Sequence, residues 1–550
     1  MSERALFFHG RLLDVEEELD RNPTSPLWID GAGVFSAGFM RAVLEHSQRE
    51  KVFLPRGAGS TEQATRIPAW AAPHTERLRW VDGDELRNVL RHQQLVLMAP
   101  DPYLWTLACV RAQAEGYSSP ITGVTHAIQP IKLASWLSSG IVRLLHAADA
   151  LVCTSRAGRS AVEKIVGALP AALCGAERIP FHTPVIPLGI EPRLWVEGKE
   201  GGGAARREEG RPTSLLYIGR LSDVNKADLV PMLLAVRDMT RQRSVRLTIA
   251  GDDRERHLAP ALRAIGRELD LSDALGIVPN PSHEDKWSLL READIFVSPV
   301  DNVQETFGLS LLEAMLAGLP VVASDWSGYR DIVVHGKTGF LVRTMIGRSS
   351  LRDEGIDIAG SWQRNADMAS ATYVDFDAWK QHVTRLVDDV DLRWQMGREG
   401  RRRVLAEFSW RAVIHAYEAL WTDLEASAGR LQRCDGPSPS LRFHEIFRHY
   451  ASTVLDDASP LHCPGDDLLP SRVMLARRWM DAAGMDVLNV LSHICRQPGT
   501  SVADLARATG RERDELRMVV MHLLKYGALR CGTPSASAVH SSDVSSSARS

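Results

Sequence analysis

The chain has 550 residues, 44% of them apolar, with 65 Lys and Arg against 69 Asp and Glu for a formal net charge of -4. That length predicts about three or four domains with real cores, and the balanced charge holds no strongly basic excess that would demand nucleic acid as a partner. Seven Cys at 109, 153, 174, 434, 463, 495 and 531 are odd in number and hold no Cys-x-x-Cys pair, so reduced thiols in a cytoplasmic compartment are expected and a structural zinc site is not.

The opening MSERALFFHGRLLDVEEELD has a short apolar patch before its acids, which predicts no signal peptide. No window reaches about 18 uninterrupted apolar residues, so a lipid acceptor would be met peripherally, at the inner membrane. PLWID at 26–30 reads as a strand, followed by Gly31-Ala-Gly33-Val-Phe-Ser36-Ala-Gly38 and a helical run through Leu44. These glycines permit close backbone approach to a ligand, or simply a turn that lets the helix pack; the spacing is not G-x-G-x-x-G. Residues 95–98 form a buried run, and ITGVTH at 121–126 reads as a strand ending in His126, a structural residue or a ligand contact. Residues 149–155 and 161–165 give strand, cap and helix, 185–190 lead out of the domain, and the Gly-rich charged stretch 196–212 is a linker or loop.

A second alternating half begins with a strand at 214–218 and continues through Gly219, Arg220 and Lys226 into a helix from about Leu229. Taken alone, Arg220 and Lys226 read first as surface charges and only second as a phosphate clamp, in which Arg forks two hydrogen bonds and Lys adds a mobile charge. The strand at 246–250 ends in Gly251-Asp252-Asp253, where the acids fit turn chemistry and no catalytic metal is expected. Strands at 275–278 and 295–297 extend the alternation of a doubly wound sheet.

The next stretch, SPVDNVQETFGLSLLEAMLAGLPVVASDWSGYRD at 298–331, organises the rest. It reads as loop, helix from Gly308, stop at Gly318-Leu-Pro320 and buried strand at 321–324. Glu305 and Glu313 flank the helix start with seven residues between them. The unpaired amides of Phe307, Gly308 and Leu309 suit a phosphate oxygen, whereas carboxylates repel one and must serve hydroxyls. A ligand carrying phosphate and many hydroxyls, such as a nucleotide sugar, satisfies both; the bland alternative is a dipole-favoured acid and a solvated helix residue. Residues 343–374 resemble an insertion, and 379–390, 392–408 and 410–424 read as helices.

The run ETFGLSLLEAMLAGLP at 305–320, continued through Asp325, Gly328 and HGKTGFLV at 335–342, resembles the Glu-x7-Glu signature of retaining GT-B glycosyltransferases, family 4 type (glycosyl transferases group 1). The resemblance implies an α/β protein of GT-B fold: two Rossmann-like doubly wound domains facing a cleft, at 1–205 on the acceptor side and 206–426 on the nucleotide-sugar side. The latter would end in a helix, after EFSW at 407–410, that crosses back to the first domain. It implies a hexosyltransferase moving sugar from a nucleotide-diphosphate donor to a glycan, lipid-linked or protein acceptor, without a cofactor. Arg220 and Lys226 would hold the diphosphate, Glu305 the sugar hydroxyls, Glu313 the ribose, with Gly219, Thr306, Phe307, Gly308 and Leu309 around them. Gly31 and Gly33 would face the cleft, and His126 would contact the transferred sugar. The family's Lys-Gly is Lys226-Ala227 here, which bears on the loop conformation.

Residues 427–440 read as a linker, and the helices expected near 485–495, 501–510 and 511–524 give 441–532 the order of an α-rich, winged-helix-like module. Seven Lys or Arg face five acids over 484–531, so protein contact or homodimerisation is expected ahead of DNA. The Ser-rich end, 533–550, reads as disordered. The competing function is a sugar-nucleotide-sensing regulatory or binding protein whose tail binds DNA or a protein.

Overall fold

A computed structural model describes residues 4–9, 31–56, 67–114, 118–126, 128, 130–137, 144–169, 181–192, 210–346, 366, 368–429, 455–464, 473, 487–525 and 527–532. The chain divides into two units, residues 1–55 with 67–438, and residues 56–66 with 439–550. The first unit holds two six-stranded sheets, both wholly parallel.

The first sheet comprises β1 Ala5–Phe8, β2 Lys51–Pro55, β3 Leu78–Val81, β4 Val96–Met98, β5 Ile121–Val124 and β6 Ala150–Val152, in the order β3-β2-β1-β4-β5-β6. The short apolar patch near the amino terminus is thus the central strand β1, buried at all four positions. The strand expected at 26–30 lies outside the described residues. Helix α1, Gly31–His46, follows. Near the far edge of this sheet, buried Arg111 forks onto buried Asp149 at 2.6 and 2.9 Å, and Asp149 also accepts the amides of Ile121 and His146 at 2.8 Å each. Every oxygen of this buried carboxylate is answered, as burial requires.

The second sheet comprises β7 Thr213–Ile218, β8 Val245–Gly251, β9 Leu275–Pro279, β10 Ile295–Ser298, β11 Val321–Ser324 and β12 Gly339–Val342, in the order β12-β11-β10-β7-β8-β9. Strands buried on both faces need continuous apolar runs, which is why LLYI, IFVS and VVAS were readable from sequence. The acids after β8 do turn chemistry: Asp253 accepts the amides of Leu258 and Ala259, and Asp252 pairs with Arg254 at 2.8 Å. Within the segment 343–374, Thr344–Ile346 and Thr372–Val374 pair antiparallel.

The expected helix at 392–408 is helical through Arg403 and then widens into one π turn, Val404–Phe408. Helix α2, Trp410–Ala428, crosses back to the first sheet and runs past the boundary expected at 426. The crossing is stitched where Ile190 N donates to Phe408 O at 2.8 Å and Trp410 N to Ile190 O at 3.2 Å. Trp410 packs against Gly38 and Gly189, where an added Cβ would lie 2.8 and 2.3 Å from the indole. Farther along, Trp421 Nε1 donates to Thr122 Oγ1 at 3.3 Å, and fully buried Arg49 pairs with Glu425 at 2.6 Å and Glu418 at 3.3 Å.

The second unit holds helices Val487–Arg496, Val502–Thr509 and Arg513–Lys525 and a short antiparallel pair, Leu461–His462 with Arg530–Cys531. Cys463 and Cys495 form a disulfide, Cα atoms 5.4 Å apart, which corrects the expectation of reduced thiols. The two cysteines are 32 residues apart and meet because the unit folds strand 461–462 onto helix Val487–Arg496. Four of its described arginines are answered by carboxylates: Arg507 by Asp504, Arg511 by Glu515, and Arg513 and Arg517 by Asp457. Residues 533–550 lie outside the described residues.

Candidate active site

The second sheet reverses its strand order between β7 and β10, and open parallel sheets take ligands outside the carboxyl ends of the strands at such a point. Gly219, Arg220 and Lys226 leave the end of β7; residues 299–308, with Glu305, leave the end of β10 and run into helix α3, Leu309–Leu316, which carries Glu313. Gly308 opens this helix at φ 125°, a conformation that favours glycine. Sequence separation of 79 residues collapses to direct contact: Lys226 Nζ pairs with Glu305 Oε2, both side chains largely buried.

The other Glu305 oxygen accepts the Phe307 amide at 3.3 Å, so the acid caps its own loop. The two loops are bound further by Asn302 Nδ2 donating to Val224 O and by Asp228 N reaching Asp301 Oδ2 at 3.4 Å. Glu313 pairs with Lys286 at 2.7 Å, and Lys286 lies over the Trp287 ring, 5.5 Å from its centroid. Among the described residues no carboxylate pairs with half-buried Arg220.

Beneath this surface sit buried groups that local sequence patterns did not reveal. Tyr217 is fully buried at the end of β7 with its hydroxyl unbonded, and burial together with the Glu305 and Asp301 carboxylates pushes that phenol far up; Arg220 opposes the shift. Tyr329 is buried beside it, its hydroxyl 2.8 Å from Ser298 Oγ, and is raised by burial and by Glu305. Burial also pushes the Asp301 carboxyl up to about 7, although the Asp228 amide favours its charged form. Asp301 shares the loop of Glu305 and Lys286 reaches Glu313 from the helix before β10; neither stands out in the sequence.

The remaining expected residues are distributed as follows. Gly219 permits the close approach of Lys226, whose Cε would be 3.0 Å from an added Cβ. Thr306 and Phe307 are buried, and the Thr306 hydroxyl donates to His126 O. His126 Nε2 donates to Pro100 O at 2.7 Å, and its ring meets Phe35 edge-on at 5.1 Å. Gly31 and Gly33 open helix α1 in the first domain. The arrangement around β7 and β10 can therefore hold an anion with Arg220, Lys226 and the first amides of α3, while Glu305 and Glu313 accept hydroxyl protons.

Residues 204–349 match the family model for glycosyl transferases group 1, a segment that includes Arg220, Lys226, Glu305 and Glu313. A glycogen synthase of Mycobacterium tuberculosis is 26% identical over 339 residues, covering 60% of this chain and 68% of that protein. The GDP-mannose:cellobiosyl-diphosphopolyprenol alpha-mannosyltransferase of Xanthomonas campestris is 32% identical over 219 residues, 40% of this chain and 52% of that protein. Among solved structures, the sucrose-phosphate synthase of Thermosynechococcus elongatus aligns over 77% of this chain and 100% of its own, with TM-score 0.49 and 17% identity.

Proposed function

From the group 1 glycosyl transferase segment at residues 204–349, we propose that this glycosyltransferase takes a nucleotide-diphosphate sugar and passes the sugar to an acceptor hydroxyl with retention. The observation that carries the reading is the meeting of Arg220, Lys226, Glu305 and the start of α3 at the strand-order reversal. Breaking the glycosyl bond moves negative charge onto the departing diphosphate, and preorganised cations and amides facing that charge lower the barrier. Arg220 and Lys226 supply it, with no metal step invoked. Glu305, released from Lys226 as the lysine turns to the phosphates, accepts sugar hydroxyls; Glu313 holds the ribose, and its ion pair with Lys286 orients it. The departing phosphate oxygen takes the acceptor proton on the face it leaves, so no protein base is assigned. His126, anchored to Pro100, completes the sugar side of the site from the first domain, with Gly31 and Gly33 opening the same wall. The acceptor is a glycan, a lipid-linked glycan or a protein, met from the cytoplasm; the second unit serves protein contact or self-association.

The test is turnover of UDP-, GDP- and ADP-sugars, read as nucleoside diphosphate released. Lys226→Ala and Glu305→Ala are each expected to lower kcat/KM by about 100-fold or more with unchanged circular dichroism. Near wild-type turnover by both variants refutes the assignment.

A further inference from the structure

The loop that carries Glu305 is gripped from both sides, and one side belongs to the other domain. On its own side, Gly328 lies against it so closely that an added Cβ would be 2.3 Å from Thr306 O and 2.6 Å from Phe307 Cα; Gly308 abuts the Tyr329 ring in the same way, at 2.7 Å. From the first domain, Ser155 Oγ donates to Thr306 O at 2.6 Å, His126 O accepts the Thr306 hydroxyl, and Ile128 O accepts from Gln304 Nε2 at 3.5 Å. The segment behind the loop is fastened across the same boundary: the amide and Nε of Arg156 each reach an oxygen of Asp331 at 2.6 Å. Ser155 and Arg156 are adjacent, at the cap and first residue of helix Arg156–Ala168. One helix start therefore clasps both 306 and 331. The residues on either side of Glu305 are committed to these bonds, so its carboxylate direction depends on the first domain being in place.

We propose that Thr306 is a positioning residue, a strut through which Ser155 and His126 of the first domain set the orientation of Glu305, with Arg156 and Asp331 clamping the segment behind it. This rests on the reading of Glu305 as a donor ligand. It makes donor use contingent on domain contact, because the sugar-binding acid is aligned only while the first domain supplies a hydroxyl and a carbonyl to its neighbour. Thr306→Val keeps the shape and loses the donor, Thr306→Ser keeps the donor, and Arg156→Ala removes an exposed side chain without opening the core.

Hydrogen–deuterium exchange of the full chain reads the strut without any donor. Amides of 302–308 are expected to exchange about fivefold faster or more in Thr306→Val, less so in Arg156→Ala, with β10 and β11 unchanged. With whichever of UDP-glucose, GDP-mannose and ADP-glucose the wild type turns over best, Thr306→Val is expected to lower kcat about five- to tenfold while donor KM stays within about twofold. Thr306→Ser is expected to restore both readings. Unchanged exchange at 302–308, or faster exchange with unaltered kcat, overturns the proposal. Wild-type behaviour of Glu305→Ala would instead strike the donor reading and leave the exchange result standing on its own.

Discussion

Replacing Asp301 by Asn tests the electrostatics beneath the site. Burial raises its carboxyl from an ordinary 3.8 to about 7, with Asp228 adding repulsion and the Asp228 amide favouring ionisation. Tyr217 on β7 and Glu305 on the same loop also face this polar pocket, and Arg220 is the nearby cation recorded against Tyr217. Because the folded state holds the proton more tightly than the unfolded chain, this group's contribution to stability is complete below about pH 4. It is lost progressively as pH rises toward about 7 and is level above that. At about 1.4 kcal/mol per pH unit, the full loss is on the order of 4 kcal/mol, of which about 3 kcal/mol falls between pH 5 and 8. Asn cannot ionise. Urea unfolding of wild type and Asp301→Asn at pH 5 and pH 8 is therefore expected to show the variant gaining about 3 kcal/mol on the wild type between the two values. A difference that does not move with pH would refute the assignment of a buried, high-pKa carboxyl.

Four further outcomes follow from the packing and the cysteines. Gly189→Ala places a Cβ 2.3 Å from the Trp410 ring and is expected to cost about 3 kcal/mol in urea unfolding, whereas Gly167→Ala, with nothing within 4 Å, is expected to stabilise its helix slightly. Arg49→Met leaves Glu418 and Glu425 without their buried partner and removes the cation 5.2 Å from the Trp421 centroid, so a loss of about 3 kcal/mol or more is expected by the same measurement. Thiol titration of the native chain is expected to label exposed Cys531 and spare Cys153, which is buried and pushed up to about 12. Reduction of Cys463–Cys495, which closes a loop across 32 residues, is expected to destabilise the second unit by about 3–4 kcal/mol, read as an earlier urea transition.

The chain's own pattern reached the two alternating α/β halves, the strand, loop and helix around Glu305, and the helix after Ser409, whose return to the first domain came from the family resemblance. It could do so because strands covered on both faces need unbroken apolar runs, and caps and glycine stops act over a few residues. Local cues missed β1, a four-residue strand without turn signals, and they gave no hint of the Cys463–Cys495 bond, whose partners are distant in sequence. Residue type and spacing left Lys226, Arg220, Glu305 and Glu313 open between solvated charges and ligand contacts, and the donor-site reading of them came from the family resemblance.

What spacing could not determine was contact. Strand order puts the loop after β7 beside the loop after β10; this joins Lys226 to Glu305 and buries Asp301 and Tyr217 beneath them. Thr306, expected at the donor, has its hydroxyl and carbonyl engaged by the first domain. Residue identity fixes which charges and hydrogen bonds a chain has to offer, but their partners and the water excluded around them depend on chain crossings tens to hundreds of residues long, and those are decided only when the sheets assemble.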